Sequence, residues 1–384
     1  KYYTPIVCFL ALAVAIIPPI FVGEFGKWFH RALIFLVVSC PCALVISIPL
    51  SFFSGIGGAS KAGILVKGSN YLELLGKAKI AVFDKTGTLT KGVFKVVETC
   101  ADGISEDDLL ELAAYGEYYS NHPIAASIKA AYKGTVQIDH LDGYEEISGM
   151  GIKVLKDGKE VLVGNKKLLD SRKISMAGAK QPSKVGTVLF VAENGAYKGC
   201  ITIADEIKDG VKDAIASIKK CGIDNVVMLT GDKKEVADSV AKELGIDTVC
   251  AELMPGDKVD KVEQLLREKD EDSTLIFTGD GINDAPVLMR ADVGIAMGAM
   301  GQDAAIEAAD IVLIDDDPGK IAVAYAIARK TVRIVQQNIV FALAVKIIVM
   351  VLGALGFANM WAAVFADVGV AFLAIINATR ALKP

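Results

Sequence analysis

The sequence predicts a mixed protein in which transmembrane helices flank a soluble α/β region that is interrupted by an α+β insert. A mean hydropathy of +0.44 with 53% hydrophobic residues is too apolar for a purely soluble chain, while 23% charged residues are too many for a purely membrane-embedded one. Four apolar segments are long enough to span a bilayer. Between them, strand and helix patterns alternate as in a parallel sheet with crossover helices.

The apolar segments form two pairs, one near each end of the chain. Pro18-Pro19 is expected to break the first helix near its end. Gly23 to His30 has the composition of a short polar link. Short links within both pairs place both ends of the soluble region on one side, and the flanking lysines and arginines indicate the cytoplasm. Buried core helices remain the alternative. The predicted spans run over about Ile6–Val22, Ala32–Phe53, Ile334–Leu355 and Trp361–Ala381.

Charge, cysteine content and the start of the chain set further limits. A net charge of −5 gives no reason to expect a nucleic-acid partner. The seven cysteines are scattered and, outside one close pair, indicate reduced thiols rather than a disulfide framework. The chain begins without Met directly before an apolar span, and no cleavable signal pattern is visible. We interpret it as a fragment that lacks upstream sequence.

Asp84 follows a short apolar run and precedes a turn rich in Thr and Gly, Lys85-Thr86-Gly87-Thr88-Leu89-Thr90. Ligands of open α/β sheets bind beyond the carboxyl ends of the strands, so Asp84 is expected in such a crevice. A carboxylate there can act as a nucleophile and form an acyl phosphate. Gly87 lets backbone approach a phosphoryl group closely. The alternative is an ordinary strand and turn in which Asp84 caps a helix.

Three further stretches supply the other parts that phosphoryl transfer needs. Val226–Leu229 ends at Thr230-Gly231-Asp232, and Thr274–Phe277 ends at Thr278-Gly279-Asp280-Gly281-Ile282-Asn283-Asp284. Lys258 opens a helix between them. The reaction requires a nucleophile, a cation against the phosphate, a hydroxyl or amide cradle, and carboxylates for Mg²⁺. Asp84, Lys258, Thr230 and the pair Asp280 and Asp284 supply these groups; the alternative for the pair is a turn and a cap.

The insert and the second span each carry one more candidate site. The insert contains Glu117 to Pro123, Ser148-Gly149-Met150-Gly151 and Gly164-Asn165, in which the glycines allow close backbone approach to an adenine nucleotide. The alternatives are a helix start at His122-Pro123 and a plain turn at Gly149-Met150-Gly151. The second span contains Ser39-Cys40-Pro41-Cys42, where Pro41 opens the helix and two thiols can point at one soft or borderline cation. Two small apolar cysteines beside a kink are the alternative.

Lys346 and Asp367 are ionisable residues inside the later spans, where charge is expensive and usually functional. They are expected to pair, and Asp367 can add a hard oxygen ligand to the two thiols. Two sulfurs with a carboxylate suit a divalent borderline ion better than Cu⁺. Snorkelling is the alternative.

Together these motifs make the chain resemble the P-type ATPases, which are built on a haloacid-dehalogenase-like phosphorylation domain. The stretch from Asp84 to Thr90 matches their phosphorylation motif, and the stretches ending at Asp232 and Asp284 match two more. The resemblance implies that Asp84 becomes an aspartyl-phosphate and that Lys85 and Gly231 belong to the catalytic motifs. It further implies that Asp84, the Thr86 carbonyl and Asp280 hold Mg²⁺. It also implies that Lys258 steadies the phosphoryl group, Thr230 hydrogen-bonds it, and Asp284 supports the site.

Within the family, the chain is most similar to the zinc, cadmium and lead group of heavy-metal pumps. That likeness assigns ATP contacts to Glu117, His122, Pro123, Gly149, Gly151, Gly164 and Asn165, and the transported-metal site to Cys40, Cys42, Lys346 and Asp367. Copper pumps of the family carry Tyr-Asn and Met-x-x-Ser in the last two helices, and neither is found here. The implied activity is ATP-driven export of Zn²⁺, Cd²⁺ or Pb²⁺ across the cell membrane, with the soluble domains in the cytoplasm.

The resemblance also divides the chain and shows what it does not contain. The predicted domains are a transmembrane hairpin (1–55), a stalk with the first part of the phosphorylation domain (56–91), a nucleotide-binding domain (92–202), the second part of the phosphorylation domain (203–330) and a C-terminal hairpin (331–384). Family members carry an actuator domain with Thr-Gly-Glu, which does not occur in this sequence. We therefore expect that the fragment, without that domain and its upstream helices, cannot complete a transport cycle.

Three alternative functions remain. A Cu⁺ pump is the nearest. A membrane-tethered phosphatase is disfavoured because phosphatases resembling this fold carry a second Asp two residues after the nucleophile as general acid and base, where this chain has Thr86. A non-catalytic metal-binding membrane protein has no use for Asp84, Lys258 and Asp280.

Overall fold

The computed structural model describes residues 3–120, 122–180, 182–280, 284–298, 303–355, 357 and 360–383. Gly281, Ile282 and Asn283 of the predicted motif lie outside them. The chain divides into two compact units. One unit comprises Lys1–Ala81, Ala216–Asn225 and Lys261–Pro384, and the other comprises Val82–Ile215 and Val226–Asp260. They are called the membrane unit and the catalytic unit below.

The helices are α1 (Tyr3–Val22), α2 (Phe25–Val38), α3 (Cys42–Lys61), α4 (Ser69–Gly76), α5 (Glu106–Gly116), α6 (Pro123–Ala131), α7 (Lys166–Ser171), α8 (Val211–Lys220), α9 (Lys234–Leu244), α10 (Pro255–Glu268), α11 (Ala285–Arg290), α12 (Asp303–Ala308), α13 (Gly319–Leu355), α14 (Met360–Val364) and α15 (Val370–Ala378). The strands are β1 (Ile64–Val66), β2 (Ala78–Asp84), β3 (Thr90–Ala101), β4 (Leu141–Ile147), β5 (Gly151–Lys156), β6 (Lys159–Gly164), β7 (Thr187–Glu193), β8 (Ala196–Ile207), β9 (Asn225–Leu229), β10 (Thr248–Cys250), β11 (Thr274–Gly279), β12 (Val293–Ala296) and β13 (Ile311–Leu313).

Four helical segments of the described chain are long and apolar enough to cross a membrane, which confirms the four predicted spans. The polar link predicted over Gly23 to His30 is wrong, because α2 begins at Phe25 and only Gly23 and Glu24 connect it to α1. Both have positive φ, 74° and 58°, and so reverse the chain within two residues. The segments are Pro5–Val22, Phe25–Lys61, Gly319–Gly353 and Trp361–Leu382.

Pro18 and Pro19 do not end α1, contrary to the sequence-based expectation. The helix continues to Val22, and Gly23 N–H donates to Pro19 O at 2.9 Å. Each proline removes only its own backbone donor, so the hydrogen bonds on its C-terminal side can still form.

The Cys-Pro-Cys stretch breaks the second span as predicted. Helix α2 ends at Val38 and α3 starts at Cys42, with Ser39, Cys40 and Pro41 between them. After the break, α3 buries a face of small residues, Ala43, Ser47, Ser51, Ser54, Gly55, Gly58 and Ala59. An added Cβ at Gly55 would lie 2.4 Å from Thr331 Oγ1 of α13, so the Gly55 backbone packs directly against the Thr331 side chain.

Strands from both units form parallel arrangements, in agreement with the α/β prediction. In the membrane unit the order is β1-β13-β12-β11, with β1 antiparallel and the other pairs parallel. In the catalytic unit β9 lies between β2 and β10 and pairs β10 in parallel. Strand β2 and helices α8 and α10 each run from one unit into the other.

The predicted α+β insert consists of an antiparallel sheet with the order β3-β8-β7-β6-β5-β4. Helices α5 and α6 cover one face of it, and Leu109, Ile128, Val163 and Ile201 meet in its core at 0% exposure. The fold class predicted from the sequence is thus confirmed. The domain boundaries stay predictions.

Candidate functional site

Asp84 is the last residue of β2 and is 5% exposed. Val82 and Phe83 before it are buried, so the strand is fixed in the core up to the carboxylate. In the turn that follows, Gly87 takes a φ of 76°, which a side chain would disfavour. The turn therefore reverses the chain directly beside Asp84, as the sequence predicts.

Lys258 supplies the cation against this carboxylate. It lies in the first turns of α10, and its Nζ is 2.6 Å from Asp84 Oδ1. The two side chains are 14% and 7% exposed, so solvent screens the pair weakly. The structure thus brings together the predicted nucleophile and the predicted phosphate-binding lysine, which are 174 residues apart in sequence.

The loop after β9 carries Thr230, Gly231 and Asp232. Thr230 is 2% exposed, and its backbone is tied to the strand beyond α9, because Thr230 N–H donates to Cys250 O at 3.0 Å. Asp232 N–H donates to Thr230 Oγ1 at 3.1 Å, and Asp232 Oδ2 lies 2.5 Å from Lys85 Nζ. Lys85 thereby links the turn after Asp84 to this second loop.

Sequence reasoning missed Asp205 and Lys208, which also hold the turn. Asp205 accepts a hydrogen bond from Thr90 Oγ1 and lies 3.6 Å from Lys85 Nζ, while Lys208 Nζ donates to Gly87 O. Both side chains are buried. Asp205 lies near the end of β8 and Lys208 directly follows that strand, where the chain returns from the insert. An Asp and a Lys at this return were the signal that the sequence offered.

Asp280 and Asp284 belong to the membrane unit, whereas Asp84 belongs to the catalytic unit. Asp280 directly follows β11, and Asp284 is 1% exposed at the start of α11, where its carbonyl accepts from Leu288 N–H at 2.8 Å. An added Cβ at Gly279 would lie 3.0 Å from Asp284 Oδ2, so strand end and carboxylate pack closely. Their grouping with Asp84 around Mg²⁺ stays a prediction.

The predicted glycines of the insert meet at one end of β5 and β6. Gly151 and Gly164 are direct partners in the antiparallel ladder. A Cβ at Gly164 would lie 2.2 Å from Met150 O, so neither strand has room for a side chain there. Asn165 fixes the turn, because its Nδ2 donates to Gly149 O at 2.8 Å while its Oδ1 accepts from Leu168 N–H and caps α7.

Glu117 lies near this glycine turn, and His122 lies close enough to Glu117 to act on its charge. Gly116, beside Glu117, packs against Val163, and an added Cβ there would lie 2.4 Å from Val163 Cγ2. Burial raises the pKa of the Glu117 carboxyl, partly offset by a hydrogen bond from Ser120. His122 Nδ1 accepts from Ile124 N–H at 3.2 Å and Pro123 is the first residue of α6, so this His-Pro pair also starts a helix.

The ligand atoms of Cys40, Cys42 and Asp367 lie within 4.8 Å of one another in the membrane unit. Pro41 turns the chain so that the two cysteine Cα atoms are 5.5 Å apart, and the structure joins their sulfurs as a disulfide. Asp367 sits in a π-helical turn, Phe365–Gly369, a distortion that often marks functional positions. Metal binding by this group requires the reduced pair, since thiolates are the ligands.

Lys346 and Asp367 form the ion pair that the sequence predicts, with 3.2 Å between Nζ and Oδ1. Lys346 Nζ also donates to Val38 O at 3.1 Å and to Cys40 O. Those carbonyls have lost helical donors at the break between α2 and α3. Lys346 therefore both faces the carboxylate and caps the interrupted helix.

The family model described as haloacid dehalogenase-like hydrolase matches residues 78–292. Over its whole length the chain is 55% identical to a cadmium, zinc and cobalt-transporting ATPase of Bacillus subtilis (strain 168) and covers 55% of that protein. It is 53% identical, again over its whole length, to a zinc-transporting ATPase of Synechocystis sp. and covers 53% of it. The chain thus spans about half the length of the curated relatives it matches.

Solved structures give the same likeness. A zinc-transporting PIB-type ATPase in its E2.Pi state aligns with a TM-score of 0.84 at 35% identity, over 99% of this chain and 62% of that one. The catalytic domain of a CPx-ATPase, CopB-B, aligns with a TM-score of 0.53 at 30% identity, over 69% of this chain and 96% of that one.

Proposed function

Since this chain belongs to the haloacid dehalogenase-like hydrolases and, among them, to the metal-transporting P-type ATPases, we propose that it drives export of a divalent soft or borderline metal ion through an aspartyl-phosphate at Asp84. The observation that carries the proposal is the contact between buried Asp84 and Lys258 at 2.6 Å. A buried lysine held on a carboxylate neutralises the charge that a phosphoryl group brings to it.

The chemistry is an in-line displacement at the γ-phosphorus of ATP. An Asp84 carboxylate oxygen forms the new P–O bond as the bond to the β-phosphate oxygen breaks, and ADP leaves. Lys258 balances the charge of the transferred phosphoryl group, and Thr230 offers a hydroxyl to its oxygens. Thr86 has no carboxyl that could activate water, which supports a phosphoenzyme that persists.

Mg²⁺ fits the donor chemistry of the predicted residues. Asp84, Asp280, Asp284 and the Thr86 carbonyl offer only oxygen donors, which Mg²⁺ prefers to nitrogen or sulfur. When bound, Mg²⁺ supplies charge neutralisation to the phosphoryl oxygens. We propose Asp84, Asp280 and the Thr86 carbonyl as its ligands, with Asp284 as support.

We propose that ATP binds on the insert between the glycine turn and Glu117. Gly149 is exposed, with open space where a Cβ would stand, and Gly151 and Gly164 let the ends of β5 and β6 approach each other beside it. Asn165 fixes the turn, and His122 and Pro123 start the neighbouring helix. A flat nucleobase can approach backbone only where side chains are missing. The open space at Gly149 supports this location.

For the transported ion we propose the reduced thiolates of Cys40 and Cys42 with the Asp367 carboxylate, and Lys346 as the neighbouring positive charge. A mixed sulfur and oxygen donor set favours Zn²⁺ and Cd²⁺ over Cu⁺. The names of the relatives agree with zinc and cadmium, and that of the Bacillus subtilis protein adds cobalt. Pb²⁺ is a further candidate on donor chemistry. The bilayer that holds these helices is proposed to be the plasma membrane.

Phosphorylation tests the proposal directly. Incubation of the chain with γ-phosphate-labelled ATP and Mg²⁺ should leave acid-stable label that hydroxylamine releases. Asp84→Asn removes the nucleophile and should abolish the label, whereas Asp205→Asn, at a supporting carboxylate, should reduce but not abolish it. Label that persists in Asp84→Asn would refute the assignment.

Metal choice needs a second measurement on the reduced protein. Binding of Zn²⁺, Cd²⁺, Co²⁺, Pb²⁺ and Cu⁺ should be compared in the wild type and in Asp367→Ala. Loss of the carboxylate should weaken the divalent ions and spare ATP binding. A preference for Cu⁺ that Asp367→Ala leaves intact would move the assignment to a copper pump.

A further inference from the structure

A cluster of polar side chains lies deep in the membrane unit, apart from the metal-ligating group. Ser47 and Ser51 of α3 are 0% exposed, and Asn338 of α13 is 1% exposed. Polar groups in a membrane helix bundle are expensive to bury and usually line a functional path or bind one another. The phosphoryl and metal chemistry described above uses none of the three.

Asn338 cross-links three helices through its amide group. Its Nδ2 donates to Ala374 O of α15 at 3.1 Å and contacts Ser51 Oγ of α3 at 3.4 Å. Its Oδ1 accepts from Asn377 Nδ2 of α15 at 2.9 Å. One buried side chain of α13 thus holds α3 and α15 together.

The same helices, with the π-helical turn that precedes α15, carry the residues of the metal site at offsets of seven to nine residues. Ser51 lies nine residues after Cys42, Asn338 eight residues before Lys346, and Ala374 seven residues after Asp367. At 1.5 Å per residue these separations are about 10 to 14 Å. On α3 and α13 the offset points to the helix end that adjoins the strands of the membrane unit, because α3 ends shortly before β1 and α13 starts shortly after β13.

Polar groups continue on both sides of Asn338. Toward the metal site, Ser47 lies one turn before Ser51, and its hydroxyl has no hydrogen-bond partner among the described residues. Toward the helix ends, Asn377 contacts Gln337 Oε1 at 3.4 Å and accepts from Arg380 at 2.7 Å, where the side chains become exposed. These polar groups therefore follow one another along the helices, from the exposed helix ends to within about two turns of Cys42. They are called the polar row below and comprise Gln337, Asn338, Asn377, Arg380, Ser47 and Ser51.

We propose that the polar row is the route by which the metal ion reaches Cys42 and Asp367, and that Asn338 is the gate of this route. The inference rests on the proposed transport function. With its three contacts made, Asn338 closes the route. When the helices separate, the Asn338, Ser47 and Ser51 side-chain oxygens and the freed Ala374 carbonyl can replace water molecules of a divalent cation. Oxygen ligands hold such an ion weakly compared with thiolates, so it passes on.

The gate predicts a kinetic effect without a matching change in affinity. The reduced full chain is mixed with Cd²⁺, and the thiolate-to-cadmium absorption is followed in stopped flow, with a chelator chase for release. Asn338→Ala removes its interhelical hydrogen bonds, so association and dissociation should each become about fivefold faster or more. The equilibrium Kd should stay within about twofold, because a gate alters the barrier and not its end states.

Two further variants keep the test decisive. Ser51→Ala deletes one contact and should accelerate both rates to a smaller extent, and it replaces Asn338→Ala if that variant does not fold. Thr331→Val is the matched control, because Thr331 is also buried on α13 but its hydroxyl donates within its own helix, to Ile327 O at 2.8 Å. Its rates should equal those of the wild type.

The outcomes separate this inference from the proposed function. If wild-type protein shows no cadmium absorption that depends on Cys40 and Cys42, the transported-metal site itself is refuted. If cadmium binds there but Asn338→Ala and Ser51→Ala leave both rates unchanged, or change Kd as much as the rates, the gate alone is refuted. Faster binding and release at constant Kd, absent in Thr331→Val, supports it.

Discussion

Replacing Lys258 by Met tests the contact on which the proposed chemistry depends. The substitution keeps the length and apolar stem of the side chain and removes its charge. At 2.6 Å, the gross attraction between Nζ and Asp84 Oδ1 is about 6 kcal/mol with an effective dielectric constant of 20. The desolvation of both groups offsets much of this attraction. The net effect of the substitution therefore depends on the environment of the Asp84 carboxylate once Lys258 is gone.

Two consequences can be separated by magnitude. Without Lys258, Asp84 becomes a buried carboxylate that has lost its cation, which costs about 3–5 kcal/mol of stability in comparable pairs. In the reaction, loss of one preorganised charge should slow phosphoenzyme formation by about 10²- to 10³-fold. Neutralising the carboxylate as well, in Asp84→Asn with Lys258→Met, should restore much of the stability and none of the phosphorylation.

The assay combines quenched-flow labelling from ATP with thermal unfolding. Lys261→Met is the matched control, because Lys261 lies three residues further along α10 and donates to Gln264 Oε1 at 2.9 Å instead. It should label at the wild-type rate and unfold at the wild-type temperature. If Lys258→Met behaves like Lys261→Met in both measurements, the role given to the Asp84–Lys258 contact is wrong.

Other predictions follow from the turn, the glycines and the buried carboxyl. Thr86→Asp introduces a general base and should shorten the lifetime of the phosphoenzyme, measured as faster loss of label in a chase with unlabelled ATP. An unchanged lifetime would contradict the role given to Thr86. Gly164→Ala sets a Cβ 2.2 Å from Met150 O, so it should lower the free energy of unfolding by roughly 3 kcal/mol and weaken ATP binding. Gly256→Ala, with nothing within 4 Å of the added Cβ, should change neither quantity. Burial raises the pKa of the Glu117 carboxyl, so the folded state binds its proton more tightly than the unfolded state does. The protonated carboxyl therefore stabilises the fold fully below the ordinary carboxyl pKa, and this stabilisation is lost as pH rises through the raised pKa. Glu117→Gln should therefore raise the melting temperature relative to wild type at neutral pH and not below about pH 4, by differential scanning fluorimetry.

Local signals were enough for much of the fold and for the motif residues. Buried runs such as Val226–Leu229 and Thr274–Phe277 stop where the polar motifs begin. In the structure β9 ends at Leu229 as expected, while β11 continues two residues into its motif, to Gly279. The break at Pro41 was visible because a proline stands between two cysteines inside an apolar span. Each of these signals lies within a few residues of its effect.

The parts that sequence reasoning missed depend on contacts between distant residues. Asp205 meets Thr90 across 115 positions, and Lys208 meets Gly87 across 121. No local pattern encodes such pairs. The link expected before His30 failed for another reason: polar residues such as Glu24 and Lys27 suggest a loop, yet a membrane helix also tolerates them at its end, where water is available.

Helix α13 runs without interruption for 37 residues from just after β13 to Leu355. It is about 55 Å long at 1.5 Å per residue, and it carries both Asn338 and Lys346. Such a rod cannot bend locally at little cost, so a tilt of about 5° at its soluble end would displace the far end by about 5 Å. Mechanical leverage of this kind needs no chain of intermediate side-chain movements, and a helix-breaking Pro or Gly insertion midway should disconnect the two ends.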